Sequence, residues 1–269
     1  MPLDLFFYCL LGGIVGLVGG LAFIYVKTWS YWLSTYSAPF AAGILLTVTF
    51  MGILPEAVHL AGEEVLTTVF LTFLVAFLFE NLFFGIHHHN SEGHQGHTRK
   101  GPTFLVIVGD TIHNTIDGIA IAAAYLTSPG LGLVTALSSF LHEVPHEIGD
   151  FGILMKAGWN RNKIILVNLA SAAFTVFGAY LIFTLPVSDF FIGQALALAA
   201  GIFIYLGASD FLPEISDSGP RHIYGLVSLL LGVIVMMTVL MAVPHVHEEL
   251  DDHGKTSGII DQLEVITPL

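Results

Sequence analysis

Eight apolar runs, each long enough to cross a lipid bilayer, constrain this chain more than any single motif does. They cover approximately residues 5–26, 38–58, 66–86, 103–125, 131–156, 163–185, 190–212 and 222–243, against a need of about 20 residues per helical span. With no water in the hydrocarbon layer, every backbone N–H and C=O must be satisfied inside the spanning element. A β-barrel meets that demand with short alternating strands, and these runs neither alternate nor stop short. The expected fold class is an all-α integral membrane protein with eight transmembrane helices. Composition agrees: 55% of residues are apolar and 11% charged, where a soluble domain carries about 25% charged. The first run does not read as a cleaved leader, because Asp4 and no basic residue precede its apolar stretch and no small-residue cleavage site follows.

Orientation follows from the basic residues. With the N-terminus outside, the inner loops hold Lys27, Arg99, Lys100, Lys156, Arg161, Lys163 and Arg221, and the outer segments hold only Lys255. Basic residues gather on the cytoplasmic side of membrane helices, so both termini are expected on the extracytoplasmic side of a cell membrane, inner or plasma. The outer segments are acidic, with Asp4, Glu63, Glu64, Asp189, Glu248, Glu249, Asp251 and Asp252. The net charge of -13 gives no sign of a nucleic-acid partner. Cys9 is the single cysteine. Disulfides within the chain are excluded, and a metal site must draw on His, Asp, Glu, Asn or Met.

Residues 41–56, AAGILLTVTFMGILPE, and 199–214, AAGIFIYLGASDFLPE, share A-A-G-I followed by L-P-E at the same spacing. They fall in the second and seventh spans, which enter the membrane from opposite sides. That is an inverted repeat, a frequent construction in secondary transporters. Spans one to three pair with six to eight, leaving four and five between them. The corresponding organisation is 1–86 for the first repeat, 87–102 for a cytoplasmic loop, 103–158 for spans four and five, 159–243 for the second repeat and 244–269 for an outer tail.

Spans four and five carry the chemistry. In GDTIHNTIDGIAIAAAY, residues 109–125, Asp110, His113, Asn114 and Asp117 stand at i, i+3, i+4 and i+7 and share one helix face. Span five places His142, Glu143, His146 and Asp150 on a similar face, with Glu147 beside it. A charge at the bilayer centre costs roughly 2.5–3.5 kcal/mol even on lenient insertion scales. Two such helices are stable only if these groups face one another, water or a cation. His113 with Asp117 and His142 with His146 are i,i+4 pairs that aim two ligands at one ion. Four nitrogen and oxygen donors from two antiparallel helices suit Zn²⁺ and related divalent ions. A proton relay without metal is the alternative reading of the same groups. His142–His146 also fits H-E-x-x-H, the zinc-protease pattern in which the glutamate is a general base. Pro145 inside it removes an N–H and crowds the carbonyl of Leu141, so a kink is expected there.

At these residues the chain resembles the ZIP (Zrt/Irt-like) family of divalent metal transporters. HNTIDGIAIAAAY is similar to the family's H-N-x-x-D-G-x-A-x-G-A-A-F, and HEVPHEIGD to the H-E-x-P-H-E-x-G-D of its zinc-transporting branch. The resemblance implies a 3+2+3 bundle, uptake toward the cytoplasm, a homodimer in many members, and a transport site between spans four and five. One metal position would use His113, Asp117, His142 and His146. A neighbouring position would use Asn114, Asp117, Glu143 and His146, so that one or two ions occupy the site. Asp110, Glu147 and Asp150 are auxiliary candidates. Two departures stand out. Members often carry a histidine before L-P-E-A where this chain has Met51 and Gly52, which makes Met51 a candidate soft ligand. Some place a carboxylate about where Ser209 falls, with Asp210 adjacent.

Glu56 and Glu214, each after a proline, are candidates for lining the path. His87, His88, His89, His94 and His97 form a tract that suits weak metal holding. The expected function is transport of a divalent metal, zinc first, with Fe²⁺, Mn²⁺ and Cd²⁺ as other cargo. The metal is cargo rather than cofactor, and no enzyme activity is expected. The rival classes are an intramembrane zinc metalloprotease using 142–146 and a metal-gated receptor.

Overall fold

A computed structural model describes residues 1–83, 100–185, 188–217 and 222–243. The histidine tract from His87 to His97 and the tail from 244 lie outside the described residues. Among those described, all regular structure is helical. The first rod is α1 (Leu3–Gly12), a 3₁₀ turn (Ile14–Leu17) and α2 (Val18–Tyr25). The second is α3 (Lys27–Val48), a π turn (Thr49–Ile53) and α4 (Leu54–Ala61). Then come α5 (Val65–Phe83), α6 (Lys100–Thr127), α7 (Pro129–Lys156), and a rod broken at Ala173 into α8 (Arg161–Ala172) and α9 (Phe174–Thr184). The seventh rod is α10 (Asp189–Tyr205), a π turn (Leu206–Phe211) and α11 (Pro213–Asp217), and α12 (His222–Ala242) is last.

Seven stretches among the described residues are long and apolar enough to cross a membrane. The remaining rod, α7, is as long as α6 but carries Glu143, Glu147 and Asp150. It stays α-helical through Pro145, so the sequence's expected disturbance there does not end the helix. The backbone widens instead just ahead of Pro55 and Pro213. Each of these prolines lacks an N–H and presses on the carbonyl four residues back, and a π turn precedes each.

The 158-residue offset seen in sequence reappears in packing. Helix α3 packs on α12, and its counterpart α10 packs on α5. Helices α6 and α7 pair with each other, and each takes a broken rod as neighbour: α9 beside α6, α1 and α2 beside α7. The glycine of each A-A-G-I copy lies close against a neighbouring backbone. A Cβ on Gly43 would overlap the carbonyl of Leu229, and a Cβ on Gly201 would come 2.6 Å from the carbonyl of Val69. Small residues admit such backbone contact between membrane helices. Since rigid backbone is the obstacle, Gly43→Ala is expected to destabilise the protein by about 1–3 kcal/mol. A melting curve of the detergent-solubilised variant checks this, and an unchanged midpoint would refute the packing argument.

The core is rich in alanine, with Ala41, Ala42, Ala120, Ala122, Ala123, Ala124, Ala195, Ala197, Ala199 and Ala200 among its buried positions. Large apolar side chains point outward instead, including Phe70 and Val75 on α5 and Leu230 and Ile234 on α12. That reversal suits a molecule whose surroundings are lipid.

Candidate metal centre

A single residue, Ser128, separates α6 from α7. Its hydroxyl accepts the Leu131 N–H at 3.1 Å and caps α7, with Pro129 in the first turn. So short a link makes the helices an antiparallel pair. His113 and His142 stand 15 and 14 residues from Ser128, at matching depths of about 21–23 Å for a rise of about 1.5 Å per residue. Helices of 28 residues are roughly 42 Å long, so these histidines meet at mid-helix.

They do meet. His142 Nε2 lies 3.2 Å from His113 Nε2 and 3.3 Å from Asp117 Oδ2. Donor atoms of His113, Asp117 and His142 all fall within 4.8 Å of one another, and all three residues are buried. The His146 ring stacks on His113 with centroids 4.5 Å apart. Thus the four residues singled out by the two i,i+4 spacings are brought to one place.

The backbone sets how His142 presents itself. Its Nδ1 lies 2.9 Å from the Ser138 carbonyl. A carbonyl only accepts, so Nδ1 carries a proton, and Nε2 is the nitrogen that faces His113 and Asp117, with a lone pair when the ring is neutral. Holding the distal nitrogen in this way is how proteins orient metal-binding imidazoles.

Asn114 is 0% exposed. Its amide N–H donates to Asp110 Oδ1 at 2.8 Å, and its carbonyl oxygen accepts from the Thr175 hydroxyl at 2.9 Å. It therefore ties α6 to α9 and fixes the Asp110 carboxylate. Several acceptors have no such partner. Both oxygens of Asp117, both of Glu143, His146 Nε2 and Glu147 Oε2 are buried without a hydrogen bond. Buried polar atoms are nearly always satisfied, and leaving one unpaired costs about 1–3 kcal/mol. Several unpaired acceptors converging in one region are what a site built for a cation looks like. Among the described residues no lysine or arginine pairs with them.

The other sequence candidates are placed differently. Asp150 is half-buried on α7. Met51 is 61% exposed on its π turn and is not gathered with the histidines. Ser209 is half-buried and Asp210 exposed on the other π turn. Glu56 lies 3.6 Å from His59 Nδ1, and Glu214 sits in the first turn of α11.

Sequence reading missed the covering residues. Phe203 meets the His142 ring edge-on at 5.5 Å, and Phe211 meets His146 at 5.4 Å. Both come from the seventh rod and shut one side of the cluster with apolar surface. Their signal was faint, because aromatic residues in an apolar helix look like ordinary packing.

The family model described as ZIP Zinc transporter matches residues 85–240. Zinc transporter ZIP4 of Homo sapiens is 38% identical over 141 residues, covering 51% of this chain and 22% of that protein. Zinc transporter foi of Drosophila melanogaster is 34% identical over 147 residues, covering 54% and 21%. Zinc transporter zipt-7.1 of Caenorhabditis briggsae is 35% identical over 129 residues, covering 46% and 32%. The chain thus spans less than a third of the length of these relatives.

Proposed function

We propose that this chain, which belongs to the ZIP zinc transporter family, carries a divalent metal ion, zinc above others, across a membrane through the cluster between α6 and α7. The observation that carries the reading is the convergence of His113, Asp117 and His142, with buried atoms on Asp117, Glu143 and His146 left without a hydrogen-bond partner. An ion there would sit among imidazole and carboxylate donors, the set that suits Zn²⁺ better than Mn²⁺; Fe²⁺ and Cd²⁺ are secondary cargo. His113, Asp117, His142 and His146 form the first position, and Asn114, Asp117, Glu143 and His146 the neighbouring one.

The swapped helix contacts and the matched glycines and π turns support a 3+2+3 inverted repeat of eight spans. Rocking of one bundle against another around a fixed site is the usual consequence of such a repeat. The basic residues support both termini outside a cell membrane and movement of metal inward, and the assembly is proposed to be a homodimer. The family is one of transporters rather than hydrolases, so Glu143 acts as a ligand and not as a general base.

Proteoliposomes holding the full chain are expected to accumulate labelled zinc above protein-free vesicles, and the purified protein to cleave no peptide. Absence of uptake, or peptide cleavage lost in Glu143→Gln with zinc retained, would overturn the reading.

A further inference from the structure

One helical turn from the histidines toward the Lys100 and Lys156 ends, a second group of ligands closes on a point. Asp110, Glu143 and Glu147 offer oxygen atoms within 4.8 Å of one another, and all three are buried. Asp110 and Glu147 are 18 and 19 residues from Ser128, so they share a depth about 6 Å beyond His113 and His142. The antiparallel pairing that aligns the histidines aligns these carboxylates too.

A cluster of acids can be held by shared protons. Here no hydrogen bond links the three carboxyls, and their buried oxygens are left for a cation to satisfy. Both Glu143 oxygens and Glu147 Oε2 lack any hydrogen-bond partner, with the two residues 1% and 2% exposed. Asp110 is held from the other side by the Asn114 N–H. No lysine or arginine among the described residues supplies the missing charge.

We infer that Asp110, Glu143 and Glu147 form a further cation position, made of oxygen alone, that receives the ion after it leaves the histidines. Its role as a receiving stop rests on the transport reading; its ability to bind does not. Carboxylate oxygens favour harder ions, so zinc is held more weakly here than by imidazole. An ion stepping from His142 to this group moves about one turn, with Glu143 adjoining His142 in sequence.

The test uses the purified full chain in detergent, with the histidines of 87–97 and His245, His247 and His253 replaced by serine so that zinc held by those segments does not count. Equilibrium dialysis against zinc, and paramagnetic resonance with Mn²⁺ as a second probe, read the two positions. The parent is expected to bind zinc tightly at the histidine cluster and one further ion at least tenfold more weakly, with Mn²⁺ choosing the weaker position. Asp110→Asn combined with Glu147→Gln should keep the tight ion, lose the weaker one and lose the Mn²⁺ signal. His142→Ala should do the reverse for zinc and leave Mn²⁺ bound. A double variant that binds weak zinc and Mn²⁺ as the parent does overturns the inference, as does a parent with no second ion. A tight ion untouched by His142→Ala would instead refute the histidine site, leaving this one standing.

Discussion

His142→Ala should lower zinc uptake into proteoliposomes by roughly 100-fold or more, the scale on which even outer-shell partners of a metal act. Of all the side chains in the cluster, His142 has its geometry most completely fixed. It is 0% exposed, its Nδ1 proton is anchored on the Ser138 carbonyl, and its Nε2 faces both His113 and Asp117. Alanine removes a nitrogen donor and the atom on which two other ligands converge. Because the ring also packs against Phe203, some loss of stability accompanies the change, so folding is checked by the melting midpoint in detergent. Phenylalanine at the same position is the companion variant: it restores the packing volume and not the nitrogen. Uptake should stay low in both. Recovery with phenylalanine, or near wild-type uptake with alanine, would show that the ring serves packing alone.

The two i,i+4 pairs of the centre were legible before any coordinates, and for a simple reason. Helical spacing decides which residues share a face, and the polarity of that face in lipid demands a partner. The single residue between α6 and α7 then leaves the two polar faces little choice but each other. Sequence spacing said less about what stands around them. That Phe203 and Phe211 cover the imidazoles, and that Thr175 takes the Asn114 carbonyl, depends on which rods pack beside α6 and α7. Local periodicity does not carry that. The A-A-G-I repeat shows the boundary clearly. Its recurrence was visible as letters, but that Gly43 admits the backbone of α12 and Gly201 that of α5 is a tertiary fact. The π turns ahead of Pro55 and Pro213 were equally hidden. Proline announces a disturbed turn, and only packing decides whether the backbone bends or widens, as Pro145 inside an unbroken α7 illustrates.

Asp117→Asn should separate stability from metal binding in opposite directions. Asp117 is 1% exposed and neither of its oxygens has a hydrogen-bond partner. With His142 neutral and its proton on Nδ1, the Asp117 carboxylate lies 3.3 Å from a lone pair on Nε2, an acceptor facing an acceptor. A buried charge of this kind is costly until a cation arrives. Asparagine keeps the shape, removes the charge and offers an N–H toward His142. The metal-free variant is therefore expected to be more stable than the wild type by about 1–3 kcal/mol, the cost of an unsatisfied buried group. A neutral amide is also a poorer ligand for a divalent ion than a carboxylate. Zinc affinity should fall by roughly 10–100-fold, and with it the rise in melting temperature that saturating zinc produces, since that rise follows the logarithm of ligand concentration over Kd. Two melting curves per protein, with chelator and with zinc, decide the matter. The wild type should start lower and gain more, the variant start higher and gain less. A variant that starts lower and gains as much as the wild type would mean that Asp117 holds the helices together and takes no part in holding the ion.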